Sequence, residues 1–598
     1  MMLRVLLIVL FFFVVNVLQS QSIDLAKNYF DQGEYEKALT TYQGLYKEKK
    51  TSVAFNGIIS SYQQLEQFNA AEVLLQEQIK KRPNVGQYYI ELGRNYLLQD
   101  NVKEAQPYFE SALEILKEKP YSAYGIGKAF TDYNLLDYAI RAYEFGQELN
   151  PKSNFDIQLA NIYGEQGKLE KMFDSYLSLM TKNPSYQSTV YRNFSQFIKD
   201  DPQAQANITL KNAVLKRLQD SPDLLYNEIL SWLYSQQKEF NKALLQEKAI
   251  FMRNQDTGLE RIIQLALTAY TENDSEVAIK SLEFIINKAQ LIETKLRAHQ
   301  LMLEVKVGNA TIKEYDKIAG EYQSLLDRFE NDFETAYIQL DYADFMAFKQ
   351  GEVDEAIDDL RALQKRIENR TSSYLKARIK MKLADILVLK ERFNEALIYY
   401  TQVQTLVKND ELSQQARYNV AQTSYYKGDF EWALTQLDVL KSSTSQLIAN
   451  DAMQLSLLIR DNSLEDSTQT ALKKYAKADL LTYQNKQEDA LVHLNKILAD
   501  HKGERIEDEV LLKQGQIYAI RKEYNAAAEN FEKIIEFFPE DILTDDALFN
   551  AAEIYELHLD NPVKAKQYYE QLIFNHADSI FFVEARKRYR RLRGDDIK

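Results

Sequence analysis

Apolar and polar positions along most of this chain recur with the period of an α-helix, and the helical stretches come in pairs. Leu511 to Pro539 shows the unit most plainly. Gly515 and Tyr518 stand about one turn apart on a first helix, and Ala527, Phe531 and Ile534 follow at helical spacing on a second. Pro539 closes the unit because it cannot continue a helix. A single hairpin of this kind cannot bury both of its apolar faces, so the pattern predicts several, stacked on one another.

The rest of the chain bears that expectation in its spacing. Ala38, Ala71, Ala105, Ala139 and Met172 take equivalent places on successive second helices, at intervals of 33, 34, 34 and 33 residues. Tyr29, Tyr62, Tyr96, Phe130 and Tyr163 keep the same phase on the first helices. The turns carry Gly33 and Gly167, suited to positive φ, and either Asp100 or Asn101 as a helix cap. Pro107 falls inside an expected second helix, where it predicts a kink or a later helix start. From residue 186 to 370 the phase loosens, and longer, degenerate helical pairs are expected; Ala343 and Ala356 keep the small-residue pairing one residue out of step.

From Ser373 the phase returns: Ala384 with Ala396, Ala421 with Ala433, Ala478 with Ala490 and Gly515 with Ala527 are each 12 residues apart. Ala433 and Ala490 are 57 apart, which marks residues 441–467 as an insertion. Its Ser/Thr-rich start reads as a loop and AMQLSLLIR as a short amphipathic helix, either a packed spacer or a binding or hinge element. The units are therefore 21–185, 186–370, 371–440 and 468–578. Residues 579–598 form a terminal capping helix with Phe581, Phe582, Ala585, Tyr589 and Leu592 on its apolar stripe.

Composition narrows the functional classes. The 598 residues hold only 9 prolines and 18 glycines, well under the usual ~5% and ~7%, as a nearly all-helical chain requires. The formal charge of -15 argues against a general nucleic-acid binder. With no cysteine, disulfides, thiolate catalysis and a lipid-modified cysteine are excluded. Met1 to Arg4 is a short positive start, Val5 to Val15 an unbroken apolar run, and Asn16 to Ser22 mostly polar, which is the layout of a secretory signal peptide. Cleavage is expected after Ser20 or Ser22, with an uncleaved anchor as the alternative. The five histidines are scattered without a metal-ligand spacing, and GIGK at Gly125 to Lys128 lacks the strand and the spacing of a phosphate loop. No enzyme chemistry and no cofactor are expected.

These residues together resemble the tetratricopeptide repeat, firmly at 22–184 and 373–593. The fold implied is an all-α, right-handed superhelical solenoid of antiparallel helix pairs. The C-terminal FEKIIEFFPE and ADSIFFVEARKRYRRL are similar to repeats of bacterial envelope proteins that serve outer-membrane assembly and the Tol-Pal system, although the lipoprotein members carry a cysteine that this chain lacks. The resemblance implies a non-enzymatic scaffold that binds other proteins or extended peptides in a groove lined by first helices. It also implies export to the periplasm, with outer-membrane association or secretion as alternatives. The role implied is that of an adaptor or chaperone-like component of envelope assembly or secretion, or alternatively a structural subunit that uses its convex face and termini.

On that alignment the residue after each small first-helix position faces the groove. Lys27, Arg94, Lys128 and Asn161, with Asn56 and Tyr124 nearby, form a polar ladder that either binds an extended chain or is an ordinary solvated face. Tyr418, Tyr425, Tyr475 and Tyr483 give the C-terminal groove an aromatic, mildly acidic character through Asp385 and Asp479. Arg586, Lys587, Arg588, Arg590, Arg591 and Arg593 either solvate the cap or contact anionic lipid or wall polymer.

Overall fold

The computed structural model describes residues 23–254, 258–329, 333–368, 371–441, 445–463 and 469–595. The expected signal peptide, 1–20, lies outside them. Every regular element among these residues is helical, and the α-helices run from α1 (residues 23–31) to α32 (Phe582–Arg593), packed mostly against their chain neighbours. They fall into two compact units, one ending at Val277 and the other beginning at Ala278.

In the first unit the pairing rests on close approach. A Cβ at Gly93 of α5 (Gly86–Leu97) would lie 2.4 Å from the ring of Phe109 on α6 (Val102–Glu118). One at Gly127 of α7 (Ala123–Asp132) would lie 2.5 Å from Tyr143 on α8 (Leu136–Leu149). Only a small residue lets these helices meet; Ala26 and Ala160 hold the equivalent places, fully buried. The turns repeat as strictly. Gly33, Glu66, Asp100, Asn134 and Gly167 all have positive φ, and the next N–H reaches back to close the helix, as from Leu135 to the Phe130 carbonyl at 2.8 Å. Asp100 takes the left-handed position, so Asn101 is the cap and accepts from the Glu104 N–H. Pro107 does not mark a helix start, because α6 begins at Val102 and runs through it. The Lys103 carbonyl that Pro107 cannot bond lies on an exposed face, where water can serve it.

The second unit repeats these devices with two departures. Between α19 (Ala336–Phe345) and α20 (Val353–Ile367) the chain makes a π-helical turn over Met346–Gln350. The Glu352 N–H then reaches the Met346 carbonyl at 2.9 Å, one residue farther back than in most of the other turns and over the same span as from Asn561 to the Tyr555 carbonyl. That extra residue is why Ala343 and Ala356 are out of step in the sequence. The insertion forms α25 (Gln446–Asp461), which starts earlier than its apolar core predicts and takes in residues expected as loop. Ile448, Ala452 and Ile459 are buried beside Leu437 and Leu440 of α24 (Phe430–Leu440), so α25 is packed into the stack.

This extra single helix redirects the next one. It sets α26 (Thr470–Tyr483) against α23 (Glu411–Lys427) and brings its end back to α21 (Ser373–Leu389). There the Tyr483 hydroxyl donates to the Asp385 carbonyl at 3.0 Å, and the Gln484 amide to the Leu389 carbonyl at 3.0 Å. At the other end α32 lies on the last pair with Ala585 fully buried, and Phe581 stacks on Phe549 at 4.5 Å.

Candidate functional site

The N-terminal ladder is only partly a free surface. Lys27 and Tyr124 are exposed, and Asn56 is half-buried. Lys128 is exposed but paired with Asp132 one turn away at 2.8 Å. Asn161 accepts a hydrogen bond from the Tyr176 hydroxyl at 2.8 Å. Arg94 is turned inward: it donates to Gln63 at 2.9 Å and lies 4.2 Å over the ring of Tyr133, whose hydroxyl bonds the buried Glu91. Burial raises the Glu91 carboxyl against the pull of that hydroxyl.

Further along the first unit a cleft of about 360 Å³ is lined by Tyr191, Trp232, Glu228 and Arg261 among others. The Tyr191 and Trp232 rings lie 5.0 Å apart, and Arg261 makes a two-bonded pair with Glu247 at 2.7 and 2.8 Å. The loosened phase beyond residue 186 hid this cleft from the sequence, although Trp232, one of only two tryptophans, was a signal for it.

The aromatic set of the C-terminal groove is largely spent on packing. Tyr425 is 1% exposed and donates to Asp479 at 2.8 Å; Tyr475 is 5% exposed and donates to the Glu509 carbonyl at 3.3 Å. They are not groove anchors, because the return of α26 onto α23 buries them. Tyr418 is half-buried among the same helices. Tyr483 keeps its place, at the rim of a cleft of about 320 Å³ lined by Phe348, Asp385, Tyr400, Asn419, Gln422, Thr423 and Tyr426. Phe348 sits there because the π turn re-aims it, a consequence that no single residue type announces.

Asp385 is the chemical centre of this cleft. The Tyr400 hydroxyl and the Asn419 amide both donate to its Oδ1, at 2.7 and 3.0 Å. Burial pushes its carboxyl up to about 6, against the pull of Lys382. Burial likewise lifts Asp341 and Asp546 to about 6. Between their ordinary value of 3.8 and about 6 the folded chain holds protons that the unfolded chain has lost, so stability falls as pH rises through that window. His299, lowered by burial, opposes with one proton. Glu532 and Glu556, held low despite their burial by Lys564 and by Arg591, contribute above the ordinary carboxylate value and lose that contribution in stronger acid. Thermal melting at constant ionic strength is therefore expected to peak between about pH 4 and 5 and to decline toward pH 6, with Asp385→Asn flattening the decline. A melting temperature that rises steadily from about pH 5 to 6 contradicts this assignment.

The basic C-terminal end is not an open anion site. Arg588 is shared among Glu553, Glu556 and Glu584, Arg591 pairs with Glu556, Arg590 and Arg593 with Asp595, and Lys587 lies 3.9 Å from Glu584. Of the six expected contacts Arg586 alone is exposed without such a pair among the described residues. Acidic residues on α30 (Thr544–Leu557) draw the cations inward.

Sequence profiles of the tetratricopeptide repeat match residues 86–115 and 546–579. No curated protein sequence matches the chain. Among solved structures, Naa15/Naa10 bound to HypK-THB aligns over 96% of each chain at 11% identity, with a TM-score of 0.29. The Cut9–Hcn1 hetero-tetramer of the APC/C aligns over 95% of each at 13% identity and a TM-score of 0.22. A tetratricopeptide repeat protein from Parabacteroides merdae ATCC 43184 covers 49% of this chain and 98% of its own, at 13% identity and a TM-score of 0.25. The chain therefore carries tetratricopeptide repeats at residues 86–115 and 546–579, and the small-on-large pairing of Gly93 with Phe109 inside the first recurs outside both at Gly515 with Phe531.

Proposed function

We propose that this chain is an exported, non-catalytic scaffold of the bacterial cell envelope that holds partner proteins on the first-helix face of its repeats, as an adaptor or chaperone-like component of envelope assembly or secretion. One observation carries the binding part. The small first-helix residues are used up in helix contact, while their polar and aromatic neighbours Lys27 on the first repeat and Tyr124 and Lys128 on the fourth stay exposed. Such donors on a rigid ladder are already in place before a ligand arrives, which lowers the entropic cost of binding. The positive start, apolar run and polar end of residues 1–22 support export.

A second reading, a structural subunit contacting neighbours by its outer face and terminus, is favoured by exposed apolar residues near the C-terminus, among them Phe537, Val563, Phe574 and Ile580. A photo-crosslinking residue in place of Tyr124 separates the two in intact cells. The first reading expects a discrete adduct from position 124 and none from position 574. The reverse result, or recovery of the chain in the cytoplasm with Met1 intact, overturns it.

A further inference from the structure

We infer that the cleft around Asp385 is a receptor for one organic cation, the guanidinium or alkylammonium group of a basic side chain carried by an extended segment of a partner protein. The inference rests on the scaffold reading and adds the chemistry that the partner must present.

Three features of the cleft converge on a cation. The first is a carboxylate oxygen left over. Both donors to Asp385 go to Oδ1, and among the described residues none bonds Oδ2, although the side chain lines the cleft. The second is an imbalance of charge. Lys382 bonds Asp344 at 2.6 Å and also acts on Asp341 and Asp385, while Arg378 acts on Asp341, so three carboxylates face two cations. Lys477, the next cation on α26, is held by Glu391 at 2.7 Å on the far side of the turn. The raised carboxyl of Asp385 is what an under-compensated anion in a dry site shows.

The third feature is the wall. The Phe348 and Tyr483 rings meet edge to face at 5.7 Å, and Tyr426 lies 6.0 Å from Tyr483. Tyr483 is fixed by its bond to the Asp385 carbonyl, so the faces are set before any ligand arrives. Aromatic faces around a carboxylate attract a cation through the ring quadrupole and exclude the water that would compete for it. Thr423 adds a polar contact in waiting: it is 2% exposed, lines the cleft and has no hydrogen-bond partner among the described residues. A neutral side chain gains neither the charge attraction of Asp385 nor that of the ring faces, and an anionic one is repelled by both, so the site discriminates against them.

The test is calorimetric titration of the purified full chain with N-acetyl-arginine amide and N-acetyl-lysine amide. N-acetyl-citrulline amide serves as the neutral counterpart and spermidine as a free polyamine. Binding of the two cationic amides, absence of binding by the citrulline amide, and a loss of about tenfold or more in Asp385→Asn support the inference. Tyr426→Leu should weaken binding as well, while Asp546→Asn, a buried carboxyl elsewhere, should leave it unchanged. Both cleft variants are checked for wild-type melting. Equal binding of the citrulline amide, or unchanged affinity in a folded Asp385→Asn, overturns the site. Spermidine binding more tightly than either amide overturns its assignment to a partner side chain. If the amides fail to bind while Tyr124 crosslinks a partner, the scaffold reading stands without this site. Amide binding without any crosslinked partner leaves the cation site standing and removes the scaffold reading.

Discussion

Ala527→Glu is expected to destabilise the C-terminal repeats by about 3–5 kcal/mol. Ala527 is fully buried on α29 (Tyr524–Phe537), in a cluster with Leu511, Phe531, Ile534, Ala547 and Ile554. Those neighbours offer no side-chain hydrogen bond, and of the tyrosines packed around the cluster Tyr555 and Tyr568 already bond Glu532, so the new carboxylate is poorly paired or takes up a proton, at a cost in free energy either way. There is also no room for it, since helices this close are set by the small residue. In a repeat stack each pair leans on its neighbours, so the loss should appear first as local opening around residues 507–575 and only then as global unfolding. Urea denaturation followed by circular dichroism measures the total, and amide exchange locates it. Asn525→Glu, exposed on the same helix, should fall within about 0.5 kcal/mol of wild type. An Ala527→Glu chain that unfolds at the wild-type urea concentration would falsify the assignment of this residue to the helix interface.

Removing Arg588 should release the terminal helix. Its guanidinium is largely buried and reaches Glu584 and Glu553 at 3.0 Å and Glu556 at 3.3 Å. It also donates to the Tyr569 hydroxyl at 3.4 Å. Arg588→Ala leaves Glu556, itself nearly buried, with Arg591 as its remaining cation, for a loss of about 2–4 kcal/mol. Ala585 and Phe581 then lose their cover, and limited proteolysis should cut between residues 576 and 595 well before the rest of the chain. Arg588→Lys should restore only part of the protection, because one ammonium cannot serve three carboxylates from a planar fork. Equal protease resistance in all three proteins would show that α32 docks by its apolar stripe alone. The same docking should weaken in acid, since Glu556 is held below its ordinary value and its contribution disappears as it is protonated.

Ala527 and Arg588 were legible in the sequence to different degrees. Ala527 could be placed from spacing, since the 12-residue interval to Gly515 depends on one helical hairpin and one turn. Arg588 could be placed on the terminal helix but not assigned its partners; its carboxylates at 553 and 556 lie more than 30 residues away. The cleft at Asp385 has the same character. Asp385 and Tyr483 were marked as groove residues, yet their bond joins positions 98 apart in sequence. Phe348 and Thr423 were not marked at all.

The helices, their pairing, the turn residues and the small positions where helices touch are all written in the order of the amino acids. Each of these is a local matter, settled within about 34 residues by helical period, side-chain size and the left-handed turn. Which of the remaining side chains are free is a matter of three-dimensional packing. A single unpaired helix, α25, and one extra residue in a π turn shift the register of neighbouring pairs, and shifts of register add up along a stack. They sent Tyr425 and Tyr475 into the core, turned Phe348 toward Asp385, and left a carboxylate oxygen facing a cleft, because the partners that bury or free these groups arrive from distant repeats.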